Sequence, residues 1–214
     1  MGDKNNRGST HTIKRAQAFA QKKFLAQKEK QLAEQKKAGC MIAAEAAMKK
    51  RALEFDFSTL RQHPVLTIEK TDDNVQMILN LDFFQSESVP GIGALLDVLT
   101  DYAAIISNVT ILIKAPKHHF DISTYHSRAK NVMKLIRKLN TFNLIQLEVI
   151  TLLDSRGSFE QLKLAAAAYG LKLYDWTLAY EIRGRKGKWE VQLGSTLERR
   201  LSGVYRREFL TQNY

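Results

Sequence analysis

The sequence predicts an α/β fold: a mainly parallel sheet of about four strands with crossover helices on one face, flanking hairpins, and a long N-terminal helix. Three observations carry this. Between Val75 and Ile182, four strand-like runs alternate with three helical patterns, an order that favours parallel pairing through right-handed crossovers. Within each run an apolar set alternates with a mixed or polar set, the period-two signature of a strand with one buried face. The runs are not continuously apolar, as a sheet covered on both faces requires.

Taken in order, residues 1–9 (with Asn5-Asn6-Arg7-Gly8) read as a disordered tail. Residues 10–58 read as a basic helical extension rich in Ala, Lys, Gln and Glu, capped by Thr10 or Thr12 and faltering at Gly39. Ala18, Leu25 and Leu32 repeat every seven residues, followed by Ile42, Ala46 and Leu53. This loose heptad fits a solvated helix or a coiled-coil-like helix that pairs with a partner. The α/β domain then spans residues 59–214. Val65-Leu66-Thr67-Ile68, the polar turn Thr71-Asp72-Asp73-Asn74 and the run Val75–Leu81 predict a β-hairpin. The further strands are expected at Val109–Lys114, Ile145–Val149 and Tyr174–Ile182. Between them lie helices at Ile92–Ile106, Ser123–Leu139 and Phe159–Tyr169. The last of these opens with the capping box Ser158-Phe159-Glu160-Gln161 and stops at Gly170, read as a left-handed terminator. Arg183-Gly184-Arg185-Lys186-Gly187-Lys188 forms a basic hairpin loop ahead of Trp189, whose alternation fits a core position, and Thr196–Leu210 is a final helix.

The strand centres recur every 30 to 40 residues, a solenoid-like period. Leu144-x-x-Leu147-x-Val149 and Leu173-x-x-Trp176-x-Leu178 share a pattern similar to an irregular leucine-rich-repeat unit. Ser158–Ala165, Trp176-Thr177-Leu178 and Glu198–Leu210 resemble the corresponding stretches of a group of uncharacterised filamentous-fungal proteins, some of which carry an F-box ahead of an α/β region. The resemblance covers roughly residues 75–210 and implies a fold and a recognition role. No F-box is found: residues 10–58 lack its Leu-Pro core.

The formal charge of +11 is uneven. Residues 1–58 hold 13 Lys and Arg against 6 Asp and Glu, residues 59–182 hold 12 against 13, and residues 183–214 hold 8 against 3. Basic ends suit acidic partners and also solubility. The single cysteine, Cys40, excludes an internal disulfide and fits a reducing compartment. No apolar run is long enough to span a bilayer, and no secretory h-region opens the chain. Residues 4–28 lack acids but are Lys-rich and serine-poor, so a cytoplasmic or nuclear location is expected over a mitochondrial one.

Three functions follow as expectations. The first is a non-enzymatic protein-interaction module presenting the polar strand face: Gln76, Asn80, Thr110, Gln146, Glu148, Thr177 and Glu181. An alternative use of that face is simple cover by the N- or C-terminal helix. The second is nucleic-acid binding through Lys130, Lys134 and Arg137, with Arg128 and Lys138 nearby, together with Arg183, Arg185, Lys186 and Lys188 and a stacking Trp189. The third is a metal-dependent enzyme at His118, His119, Asp121 and His126, whose spacing matches no established metal motif. Further polar residues fall at the strand carboxyl ends, where open parallel sheets bind ligands: Asp82, Ser86, Glu87, Asp154, Ser155 and Arg156. No phosphate-loop, nucleophile-elbow or zinc-protease motif occurs, so no cofactor is expected.

Overall fold

The computed structural model describes Lys30, Gly39 and residues 41–82, 92–114, 122–153, 158–173 and 175–210, the side chains of residues 82 and 122–126 excepted. The chain divides into two units, Met1–Ala47 and Met48–Tyr214. In the first, the described residues Lys30, Gly39 and 41–47 are helical, so Gly39 does not break the helical conformation there. The predicted tail 1–9 and the heptad positions Ala18, Leu25 and Leu32 lie outside the described residues.

The second unit holds a six-stranded mixed sheet in strictly sequential order. Its strands are β1 (Leu66–Lys70), β2 (Val75–Asp82), β3 (Asn108–Lys114), β4 (Gln146–Leu153), β5 (Trp176–Ile182) and β6 (Lys188–Glu190). β2 to β5 pair in parallel, while β1 and β6 add antiparallel at the two edges. The expected four-strand sheet is therefore the centre of a larger one, because the outer strand of each hairpin joins the same ladder. Short antiparallel edges also terminate a parallel sheet that would otherwise expose long unpaired strands.

Residues 48–54 form α1, followed by α2 (Ile92–Tyr102), α3 (Ile122–Leu139), α4 (Phe159–Ala166) and α5 (Thr196–Tyr205). With sequential strand order, right-handed crossovers put α2, α3 and α4 on one face. Burial agrees: Met77, Leu79, Ile111, Leu147 and Val149 have zero exposure, as do Leu95, Leu99, Leu135, Leu139 and Leu164 from the helices. Each such side chain contributes about 1.5–3 kcal/mol on leaving water.

Both ends of this unit join the helix layer. Phe57 stacks on Tyr102 of α2 at 6.2 Å, and the Tyr102 hydroxyl donates to the Arg61 carbonyl at 3.0 Å. Arg61 Nε donates to Asp101 Oδ2 at 2.7 Å. α5 packs on α4, where Lys163 Nζ donates to Glu208 Oε2 at 2.7 Å. Arg207 lies 5.5 Å over the Phe159 ring.

Several element ends differ from expectation. α2 stops at Tyr102, because the amide of Ile105 turns back to the Tyr102 carbonyl. The capping box is present: Gln161 N–H donates to Ser158 Oγ, and Ser158 N–H donates to Gln161 Oε1. Gly170, however, ends a 3-10 turn (Ala167–Gly170) and is not left-handed. It is small for want of space: a Cβ there would lie 3.0 Å from Met133 Sδ and 3.3 Å from Ile136. The last helix passes at Arg206 into a π-helical turn that buries Phe209. Trp189 is no core residue: it sits on the short edge strand, 36% exposed, stacked on Tyr180 at 5.8 Å.

Candidate functional site

The face of the sheet turned away from the helices is built by the even-numbered residues of β2, β3, β4 and β6 and the odd-numbered residues of β1 and β5. Cross-strand register arranges them in rows. One row runs Gln76, Asn108, Gln146; the next Ile78, Thr110, Glu148, Thr177; the next Asn80, Leu112, Ile150, Ala179, Glu190; the last Lys114, Leu152, Glu181, Lys188. All seven residues expected on this face thus share it. Asn80, Gln146 and Glu181 are exposed, and Gln76, Glu148 and Thr177 are half-buried. Thr110 is buried, and Gln76 Nε2 donates to its hydroxyl, so Thr110 braces the face and is not open to a partner.

Sequence reasoning missed the apolar members. Ile78, Leu112, Ile150 and Leu152 are half-buried among the polar residues. Ile150 and Leu152 enter because β4 extends to Leu153, four residues beyond its expected end. A signal was present: Ile111-Leu112-Ile113 and Val149–Leu153 are nearly continuous apolar runs, the mark of strands that prefer cover on both faces. The apolar residues therefore gather toward the centre of the face, between the polar row Gln76, Asn108, Gln146 at the amino ends and a row that carries Lys114, Glu181 and Lys188 at the carboxyl ends.

Its charges are mostly acidic. Glu69 of β1, Glu148, Glu181 and Glu190 face Lys114 and Lys188. Lys188 Nζ donates to Glu148 Oε1 at 2.6 Å. With 46% and 24% of these side chains exposed, that pair is a rim contact of at most about 1 kcal/mol. Among the described residues, Glu69, Glu181 and Glu190 have no ion-pair partner.

The cations expected to bind phosphate are dispersed. Lys130, Lys134 and Arg137 are exposed on α3, Arg128 is buried, and Lys138 Nζ donates to Thr100 Oγ1 at 2.8 Å. Arg185 and Lys186 are exposed in the β5–β6 turn, which Gly184 and Gly187 shape at φ 78° and 120°. Lys188 lies on the face opposite α3 and is held by Glu148.

His118, His119 and Asp121 lie outside the described residues, as do Ser86, Glu87, Asp154, Ser155 and Arg156 and the side chains of Asp82 and His126. Among the described residues no group of three or more His, Cys, Asp or Glu could hold a metal ion. The strand order never reverses, so the crevice that a doubly wound sheet opens at its switch point does not form. No described helix is long and apolar enough to cross a membrane. Comparison with known proteins finds no matching family model, no matching curated protein and no matching solved structure.

Proposed function

We propose that this chain is an intracellular protein-interaction module, not an enzyme, and that its partner docks on the sheet face opposite the helices. One observation carries the reading: Leu112, Ile150 and Leu152 stay partly exposed in the middle of a sheet, ringed by Asn80, Glu148 and Glu181. An apolar centre with a polar rim is the anatomy of a protein interface. The lead-in residues and α5 both attach to the helix layer, which supports leaving this face for a partner.

A photo-crosslinking residue placed at Asn80 is expected to yield a protein adduct in cells, and Glu148→Lys with Glu181→Lys is expected to abolish it. The same probe at Lys134, on the outer surface of α3, reports the second reading. That reading rests on the spacing of Lys130, Lys134 and Arg137 along one exposed helix face. Adducts to RNA from Lys134, with none from Asn80, would replace the interaction module by a nucleic-acid-binding protein.

A further inference from the structure

We infer that the cleft between Tyr169, the first residues of β5 and the start of α5 binds an alkylammonium or guanidinium group. This site is separate from the centre of the open face and does not depend on the docking proposal.

The cleft has a volume of about 250 Å³ and is lined by Tyr169, Trp176, Glu190, Val191, Leu193 and Glu198, among others. Drug-sized pockets run from roughly 300 to 1,000 Å³, so this one suits a single head group. Its walls combine aromatic rings with carboxylates. Tyr169 and Trp176 meet edge-to-face at 5.6 Å and 80°. Ring faces and nearby acids together attract organic cations, most strongly where water is partly excluded. Among the described residues that line the cleft there is no Lys or Arg, although the chain carries 33 of them. The neighbouring hollow, which shares Tyr169 and Glu198, is by contrast bordered by Arg199 and Arg206.

Glu198 is positioned in the cleft, and Glu190, whose register with Ala179 turns its side chain toward the open face, borders it from the edge strand. Glu198 sits in the first turn of α5, where Ser195 Oγ accepts from its backbone N–H at 3.1 Å. The Tyr169 hydroxyl donates to Glu198 Oε1 at 3.4 Å. Burial first, then the Glu198 charge, pushes the Tyr169 phenol up to about 12, so it remains a neutral donor holding that carboxylate in place. Glu190 is exposed on β6, and neither Glu190 nor Glu198 has an ion-pair partner among the described residues. Leu193, 94% exposed, stands at the rim, where the aliphatic stem of a lysine or arginine side chain would pack.

The test uses the full chain with Trp189→Phe, so that Trp176 is the only tryptophan. Its emission is followed at constant ionic strength during titration with tetramethylammonium, with a short peptide bearing one arginine, and with the same peptide bearing citrulline. A saturable change with a cation, absent with citrulline and weakened at least about tenfold by Glu190→Gln with Glu198→Gln, is the expected result. Response to the arginine peptide alone identifies a polypeptide side chain as the ligand, and response to tetramethylammonium alone identifies a small-molecule cation. No saturable response to either, or equal affinity in the Gln variant, overturns the assignment. Should the double variant fail to fold, Glu198→Gln alone, an isosteric change that keeps an oxygen for the Tyr169 hydroxyl, decides it by the same criterion.

Discussion

The two faces of this sheet share one backbone and differ in almost everything else. On the helix face, Leu147 and Val149 have zero exposure. Between and just beyond them in the same strand, Glu148, Ile150 and Leu152 point the other way and stay partly exposed. The difference shows what burial selects. The helix face is specified by volume, because every residue must fill a closed space. The opposite face carries polar braces such as Gln76 on Thr110, a rim ion pair, and apolar residues that the described elements of this unit leave partly exposed.

The sharpest way to break this contrast is a pair of matched truncations in β4. Leu147→Ala is expected to lower the unfolding free energy by about 2–5 kcal/mol, and Leu152→Ala by less than about 1 kcal/mol, both read from chemical denaturation. Equal losses would mean that the second face is as closely packed as the first.

The two lysine–glutamate pairs sharpen it further. Lys163 and Glu208 are joined at 2.7 Å within the helix layer, with 10% and 16% of their side chains exposed. Lys188 and Glu148 are joined on the open face. Lys163→Met leaves the half-buried Glu208 carboxylate with, among the described residues, only Arg207 beside it at 3.5 Å, and is expected to cost about 1–3 kcal/mol. Lys188→Met is expected to stay within about 1 kcal/mol. The pH dependence follows the same pair. The hydrogen bond from Lys163 holds Glu208 below its ordinary 4.5. Its contribution is therefore complete above pH 4.5 and is lost as pH falls through the lowered folded value. Comparing acid denaturation of the parent with Lys163→Met checks this: the variant should lose that part of the acid sensitivity.

What could be read in advance followed the strength of the pattern. Alternation of wholly apolar with mixed positions in Val75–Leu81 and Val109–Lys114 identified the helix face residue by residue, and Ser158 and Gln161 marked the start of α4 because a capping box needs both side chains. The end of α2 was illegible: Ala103, Ile105 and Ile106 continue the apolar pattern past Tyr102, and no glycine or proline marks the stop. Gly170 was misread because a glycine after a helix has two physical uses, a left-handed backbone or a close approach, and only the position of Met133 distinguishes them. The seven polar residues expected on the open face were legible from parity alone. Its apolar half was not, because in Val149–Leu153 both parities are mainly apolar and alternation carries no direction. The cation cleft draws on a 3-10 turn, two strands and a helix, and no local sequence pattern links them.

The central claim, that one face of the sheet is closed and the other accessible, is tested most directly by thiol reactivity. Cys40 is the only cysteine, so a Cys40→Ser background isolates each introduced thiol. Under native conditions Asn80→Cys and Glu181→Cys should react at least about a hundredfold faster than Val149→Cys, whose thiol is reached only when the structure opens. Reaction of Asn80→Cys as slow as that of Val149→Cys would show the second face to be covered and would contradict the account.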